Sequence, residues 1–104
     1  MVLYEVNLEV EQDIAPAYAK WLESHMDEML QLEGFEDALL LQDENHPPDR
    51  ICWTVHYRVS SRAHLETYFE GEAIRMRADG LNRFGNRFRA SRRILQFALP
   101  TALT

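Results

Sequence analysis

The sequence lacks the features that mark membrane, secreted and disulfide-linked proteins. Its only cysteine is Cys52, so no disulfide can form within the chain, which is typical of a reducing cytoplasm. No apolar run approaches the roughly 20 residues that span a bilayer. The N-terminal residues also lack the basic segment and apolar run of a secretory signal. We therefore expect a cytoplasmic protein without a membrane partner.

Motifs for metal binding and covalent catalysis are also missing. No spacing of cysteine and histidine matches a structural zinc site, and no serine or cysteine triad can be recognised. His64 and Glu66 cannot share a helix face, because their spacing places them on different sides. We expect no metal and assign neither a cofactor nor a catalytic residue. The sequence leaves open whether the protein is an enzyme.

The chain as a whole lacks an excess of positive charge. Its 104 residues carry a net charge of −6, which argues against a general nucleic-acid binder. The cations are concentrated near the C-terminus, since seven of the ten arginines lie between Arg75 and Phe97. The first 52 residues hold 13 acids against Lys20 and Arg50. This asymmetry requires self-pairing, a partner or an anionic ligand.

The hydrophobic pattern that is present predicts four strands and two helices in one domain, residues 1–104. The predicted strands are 2–10, 35–42, 51–59 and 87–99, with a turn at 82–86. Capping and glycine signals set the helix boundaries. The first helix is predicted to be capped by Asp13 and to end at Gly34. The second is predicted to be capped by Ser60 or Ser61, to be broken at Gly71 and to end at Gly80.

The element order βαββαβ predicts a ferredoxin-like α+β fold. Right-handed crossovers give an antiparallel sheet of order 4-1-3-2 with both helices on one face. The opposite face is expected to display polar residues of strands one and three: Glu5, Asn7, Glu9, Thr54, His56 and Arg58. Strand four adds either Arg87, Arg89, Ser91 and Arg93, or Phe88, Ala90, Arg92 and Ile94, and its sequence does not decide between them.

The polar face allows two outcomes. It can be exposed to water, as in many antiparallel sheets, or two copies can pack sheet to sheet and enclose it. A last strand of about 13 residues exceeds the usual length of roughly five or six, and we expect the excess to reach a second subunit. A homodimer of the dimeric α/β barrel type is therefore predicted.

Several segments resemble an uncharacterised bacterial family, a domain of unknown function within the dimeric α/β barrel group. They are YEVNLEV, WLESHMDEML, the GF pair after it and, most specifically, MRADGLNRFGNRFRASRRIL. The resemblance implies the ferredoxin-like fold but carries no activity. The wider group includes antibiotic-biosynthesis monooxygenases, muconolactone isomerases and haem-degrading enzymes, which share architecture more than active-site residues. A cofactor-independent monooxygenase or isomerase is thus implied by fold analogy alone.

Three side chains are candidates for chemistry. Trp21 and His25 lie four apart on helix one and share a flank. They either form a lid over the sheet pocket or pack at a helix edge. His56 lies mid-strand near Glu5, where it can serve as a general base oriented by a carboxylate or as a member of a polar network. The sequence does not decide between these interpretations.

The arginine-rich segment allows three interpretations. Arginines of the last strand can clamp a dimer by pairing with carboxylates. Alternatively, Gly80 and Gly85 can free backbone N–H groups for an anion site. RNA binding is not expected, because ICWTVHYRV lacks the glycine of the RNA-recognition pattern. The clamp is the preferred interpretation, and the candidates for the clamp or the anion site are Arg83, Arg87, Arg92, Arg93, Glu5 and Glu9.

The leading hypothesis is a homodimer whose two sheets enclose a cavity for a small, anionic molecule. The predicted ligand-binding residues are Asn7, Trp21, His25, His56 and Arg89. The alternative is a non-catalytic interaction or scaffold protein whose charged residues set the register of the dimer.

Overall fold

A computed structural model describes residues 1–98 and contains four strands and three α-helices. The chain begins with β1 (Val2–Glu11) and a short 3-10 helix (Gln12–Ile14), followed by α1 (Ala15–Met29) and β2 (Phe35–Gln42). The remaining elements are β3 (Arg50–Val59), α2 (Arg62–Glu70), α3 (Glu72–Phe84) and β4 (Phe88–Gln96). The strands form one antiparallel sheet of order β2-β3-β1-β4, which confirms the predicted topology.

The register of the sheet resolves the two faces. Residues directly opposite each other in an antiparallel pair point to the same side. Tyr4 lies opposite Tyr57 on one neighbour and Ile94 on the other, and this layer packs under the helices. Glu5 lies opposite His56 and Arg93 on the other side, which we call the open face. Its strand-four residues are Arg89, Ser91 and Arg93, whereas Phe88, Ala90, Arg92 and Ile94 face the helices.

The first helix starts and ends differently from the prediction. Asp13 does not cap it, since α1 follows the 3-10 helix with Ile14 at its N-cap and without a side-chain cap. The Asp13 carboxylate pairs instead with Arg87. The helix ends at Met29, and short-range turns carry the chain to Gly34. Gly34 has φ +87°, and a Cβ atom there would overlap the ring of His64.

The second helical segment is interrupted by Gly71, as predicted, and the Ser61 hydroxyl caps α2 by accepting from the His64 backbone N–H. The prediction that Gly80 ends this segment is wrong. Gly80 is buried inside α3, and Gly85, with φ +58°, follows its last residue. The predicted turn 82–86 is therefore helical up to Phe84.

The last strand is shorter than predicted. β4 spans nine residues, Phe88–Gln96, so the predicted boundary at Arg87 is wrong and the boundary at Leu99 lies outside the described residues. The strand length therefore no longer supports a dimer, and any such support must come from the sheet surface. Within residues 1–98, no helix is long and apolar enough to cross a membrane.

Candidate functional site

The structure separates the five predicted ligand-binding residues onto opposite sides of the sheet. Asn7, His56 and Arg89 belong to the open face. Trp21 and His25 lie on α1, which packs on the other side. Trp21 and His25 therefore do not cover the open face, which holds the other three predicted residues. The two groups have to be considered as separate sites.

The open face carries a hydrogen-bond network centred on Glu5, a residue that is only 5% exposed. Its carboxylate accepts from Asn7 Nδ2 at 3.0 Å, from His56 Nε2 at 2.8 Å and from Arg93, while Thr54 donates to Asn7 Oδ1 at 2.7 Å. Arg93 foremost, with Asn7 and His56, lowers the pKa of Glu5 to about 2. Because an ionised carboxylate only accepts, His56 donates to Glu5 from Nε2, which leaves Nδ1 as the ring nitrogen that can take up a proton.

Arg89, a predicted ligand-binding residue, lines a shallow depression of about 430 Å³ on the open face. Asn7, Glu9, Cys52 and Ser91 also line it. Arg89 and Glu9 are opposite each other in register, but neither forms an ion pair within residues 1–98. Burial, and then the charge of Glu9, raises the pKa of the Cys52 thiol, so the thiol stays protonated at neutral pH.

Most arginines of the basic segment are neutralised within the chain. Arg93 pairs with Glu5, Arg83 with Asp79 at 3.1 Å, Arg75 with Glu28 and Glu72, and Arg87 with Glu11 and Asp13. The turn near Gly85 therefore offers an anion no uncompensated arginine. Among the described residues, three arginines of the segment have no carboxylate partner: Arg77, Arg89 and Arg92.

Two of these three arginines border one cavity. A partly open cavity of about 50 Å³ lies between α1, α3 and the helix-facing side of the sheet. Arg77 of α3 and Arg92 of β4 contribute to its lining, together with Trp21 and His25 of α1. All four tyrosines of the chain also line it: Tyr4, Tyr18, Tyr57 and Tyr68. The cavity thus combines aromatic walls with uncompensated positive charge.

Two tyrosine hydroxyls in this cavity have no partner from the protein. Tyr18 and Tyr57 are each 1% exposed, and no side chain or backbone group of residues 1–98 bonds to their hydroxyls. Within the same residues no completely enclosed side-chain oxygen or nitrogen lacks a hydrogen bond. Both hydroxyl oxygens are therefore not completely enclosed, and water can contact them. Burial raises the pKa of both phenols, so they stay protonated hydrogen-bond donors.

Trp21 is held at the cavity by three neighbours. Its indole N–H donates to Asp79 Oδ2 at 2.8 Å, and its ring stacks on His25 with centroids 4.9 Å apart and an 11° interplanar angle. A Cβ atom at Gly80 would lie 3.1 Å from Trp21 Cη2, so glycine lets the indole lie flat against α3. Arg83 also pairs with Asp79, which anchors the acceptor. The indole is thereby a fixed wall of the cavity.

His25 is a neutral imidazole at the same cavity. Burial lowers its pKa below the ordinary value of 6.5; the charge of Glu28 opposes this effect and that of Arg92 adds to it. No hydrogen bond ties its ring nitrogens to other groups within residues 1–98. A half-buried, neutral imidazole without a protein partner can accept a proton or a hydrogen bond from a bound molecule.

Sequence reasoning missed Arg77 and the tyrosine hydroxyls. A signal was present, because Tyr4 and Tyr57 occupy inward positions of two adjacent strands, and Tyr18 and Tyr68 occupy inward positions of the two helical segments. Apolar packing alone does not require four tyrosines in one core, because each buried hydroxyl group also needs a hydrogen-bond partner. In the part of the chain that the structure describes, no three His, Cys, Asp or Glu side chains cluster as a metal site requires.

Comparison with known proteins identifies the family and the fold group. Residues 1–98 match a family described as "Domain of unknown function (DUF4286)". No curated protein matches the sequence at a significant level. Several of the solved structures similar to it belong to the antibiotic biosynthesis monooxygenase group, with the dimeric α/β barrel, ferredoxin-like fold.

Three solved structures illustrate the similarity. SnoaB, a cofactor-independent oxygenase from Streptomyces nogalater, superimposes with a TM-score of 0.71 at 9% identity over 97% of both chains. A candidate antibiotic biosynthesis monooxygenase from Deinococcus radiodurans gives 0.70 at 14% over 96% of this chain and 97% of that one. The haem-degrader MhuD from Mycobacterium tuberculosis, solved with two haems bound, gives 0.69 at 19% over 97% and 99%. At these identities the similarity establishes the fold alone.

Proposed function

The chain belongs to the DUF4286 family, whose description gives no activity, and from its cavity we propose that it binds a small organic anion between the helices and the sheet. One observation carries the proposal: Arg77 and Arg92, which have no carboxylate partner within residues 1–98, border an otherwise aromatic cavity. The acids of the chain neutralise four other arginines of the same segment. Leaving two guanidinium groups uncompensated beside apolar walls favours an anionic ligand.

The tyrosine hydroxyls add a second recognition element. Tyr18 of α1 and Tyr57 of β3 both line the cavity, and each offers a donor without a partner among residues 1–98. Buried polar groups need a partner, supplied by water or by a ligand oxygen. A ligand with a carbonyl or hydroxyl oxygen beyond its anionic group satisfies this requirement.

The volume of the cavity limits the ligand. About 50 Å³ holds roughly three to five waters, at roughly 10–15 Å³ each, whereas a cavity that accepts benzene is about 150 Å³. The ligand that fits is a short-chain carboxylate with a carbonyl or hydroxyl oxygen. Its carboxylate would meet Arg77 and Arg92 at the rim, where both side chains are exposed, and its short apolar end would point inward.

We further propose that the protein is a homodimer that buries the open face. Leu39 and Leu41 are 57% and 41% exposed there, next to the Glu5 network. Glu9 and Arg89, unpaired within the described residues, can pair with the corresponding groups of a second copy. A face that joins exposed leucines to uncompensated opposite charges suits self-association. A non-catalytic scaffold remains the second candidate function, favoured by these same leucines.

A reaction is not part of this proposal. SnoaB is a cofactor-independent oxygenase and MhuD degrades haem, but neither shares enough sequence to transfer an activity. The cavity volume is far below that of a haem, so haem degradation is not proposed. We retain the cytoplasm as the compartment, because Cys52 is free and protonated.

A thermal-shift series with matched variants tests the ligand site. Wild type is melted with acetate, butyrate, 2-oxobutanoate and benzoate, and a ligand of the folded state raises the Tm with its concentration. We expect the four-carbon acids to raise it most. Arg92→Gln should abolish the shift and Arg89→Gln should retain it, because Arg89 is an equally unpaired arginine on the same strand but faces the opposite side. The reverse pattern would locate the site on the open face, and no shift with any acid would remove the proposal.

A further inference from the structure

His25, Arg92 and the two free phenols form a constellation that binding alone does not require. A ligand held only by charge needs the arginines, yet the same cavity also contains a neutral imidazole without a protein partner. Trp21 fixes the plane of that imidazole by stacking on it, and Asp79 fixes Trp21 through the 2.8 Å hydrogen bond. A base with a fixed orientation, next to a cation and hydrogen-bond donors, is the arrangement that proton abstraction from carbon needs.

Resting on the proposed ligand class, we propose that the cavity catalyses enolisation of a short-chain 2-oxo acid, with His25 as the base. His25 takes a proton from the carbon next to the ketone, so one C–H bond breaks and one N–H bond forms. The electron pair of the C–H bond becomes the C=C bond of the enolate, and the negative charge moves to the carbonyl oxygen. The imidazolium then returns a proton to carbon, or to the oxygen if the enol is released. No electron acceptor is needed.

The enolate oxygen requires stabilisation, and the cavity offers it from two directions. Tyr18 and Tyr57 are protonated donors without partners, and Arg92 contributes positive charge from β4. Such donors are most effective in a space from which bulk water is excluded. A cavity volume of about 50 Å³ admits only a few waters. The geometry thus favours the charged intermediate over the neutral ketone.

The pH dependence follows from the groups around His25. Glu28 on its own helix raises the pKa of His25, as does Asp79 on α3, whereas Arg75 on α3 and Arg92 on β4 lower it. Burial is the largest effect, and the resulting pKa lies below 6.5. The imidazole is therefore in its basic form at neutral pH. The exchange rate should rise as pH increases through this lowered pKa and reach a plateau above it.

Hydrogen–deuterium exchange of 2-oxobutanoate, followed by proton NMR in D2O, tests the inference. The non-enolisable 3,3-dimethyl-2-oxobutanoate serves as a binding control. We expect wild type to accelerate exchange above the buffer rate. His25→Gln should lower the acceleration at least tenfold while the dissociation constant, from Trp21 fluorescence, changes less than threefold. His46→Gln, at a histidine in the β2–β3 turn, should leave both values unchanged.

The outcomes separate this inference from the binding proposal. Exchange at the buffer rate, with both acids still bound, would refute the enolisation activity and leave the ligand site intact. Undiminished exchange in His25→Gln would refute the assignment of the base. If neither acid binds at millimolar concentration, the proposed function and this inference both fail.

Discussion

Replacing Glu5 by glutamine removes the centre of the open-face network. The carboxylate accepts from three side chains, Asn7, His56 and Arg93, and is almost completely buried. The glutamine amide is close in shape but offers an N–H2 group where one carboxylate oxygen accepted. At least one of the three donors then faces another donor and loses its hydrogen bond.

The size of the effect follows from the pKa of Glu5. A fall from 4.5 to about 2 corresponds to roughly 3 kcal/mol in favour of the charged form, at about 1.4 kcal/mol for each pKa unit. The Arg93 side chain is 65% exposed, so solvent screens part of this interaction. We therefore expect Glu5→Gln to lower the free energy of unfolding by about 2 kcal/mol at pH 7.

The effect must depend on pH with a defined sign. Folding depresses the pKa of Glu5, so its stabilisation is complete above the unfolded-state value of 4.5 and is lost as the pH falls toward 2. Wild type should therefore lose more stability than Glu5→Gln between pH 5 and pH 2. The difference between the two proteins should shrink to under about 1 kcal/mol at the acid end.

Urea denaturation at fixed protein concentration, repeated across this pH range, measures both effects. Glu9→Gln is the matched control, because Glu9 lies four residues along the same strand and on the same face, without an ion pair inside residues 1–98. It should change stability by less than about 0.5 kcal/mol. Equal effects of the two substitutions, or a pH-independent effect of Glu5→Gln, would refute the reasoning.

Two further perturbations test the backbone and the dimer. Gly34→Ala and Gly85→Ala both impose a positive φ on alanine, each at a cost of about 1–3 kcal/mol. In urea denaturation, Gly34→Ala should lower the free energy of unfolding by at least about 1 kcal/mol more than Gly85→Ala, because only a Cβ atom at Gly34 overlaps His64. Equal losses in the two variants would contradict this. Leu39→Glu should weaken the homodimer at least tenfold in sedimentation velocity. Leu40→Glu, on the helix-facing side, should not; a monomeric wild type would contradict the dimer proposal.

The fold could be predicted because its signals are local and mutually consistent. The alternation in β1, from Val2 to Val10, and in β3, from Ile51 to Val59, fixed the buried face of the sheet. The order of elements then determined the topology. The break at Gly71 and the cap at Ser61 depend on properties of single residues, and both were predicted.

The boundaries that failed depend on partners distant in sequence. Asp13 resembles a helix cap, but Arg87, 74 positions later, takes its carboxylate. Gly80 resembles a helix end, but α3 continues through it. The side chain of Trp21 of α1 packs so close to the backbone of Gly80 that little room is left for a Cβ atom. In both cases a tertiary contact overrides the local preference, which no window around the residue reveals.

The site itself could be predicted only in part. The neighbouring positions of Trp21 and His25 were recognised. The face of strand four was not, because each of its two alternating sets of residues mixes polar and apolar side chains. The side of the sheet that Arg92 faces is decided by its pairing with Val6. Once that register is known, Arg92, His25 and the tyrosines converge on the same cavity. The uncompensated charge is visible only after the other arginines have been matched to their carboxylates.

The two tryptophans give the most direct test of a ligand site in this cavity. Each indole N–H produces one cross-peak in a nitrogen–proton correlation spectrum. The Trp21 indole bonds to Asp79 at the cavity wall, whereas that of Trp53 bonds to the exposed Gln42. Titration with 2-oxobutanoate should shift the Trp21 cross-peak to saturation and leave Trp53 in place, and Arg92→Gln should suppress the shift. Movement of neither cross-peak, or of Trp53 alone, would contradict an anion-binding cavity between the helices and the sheet.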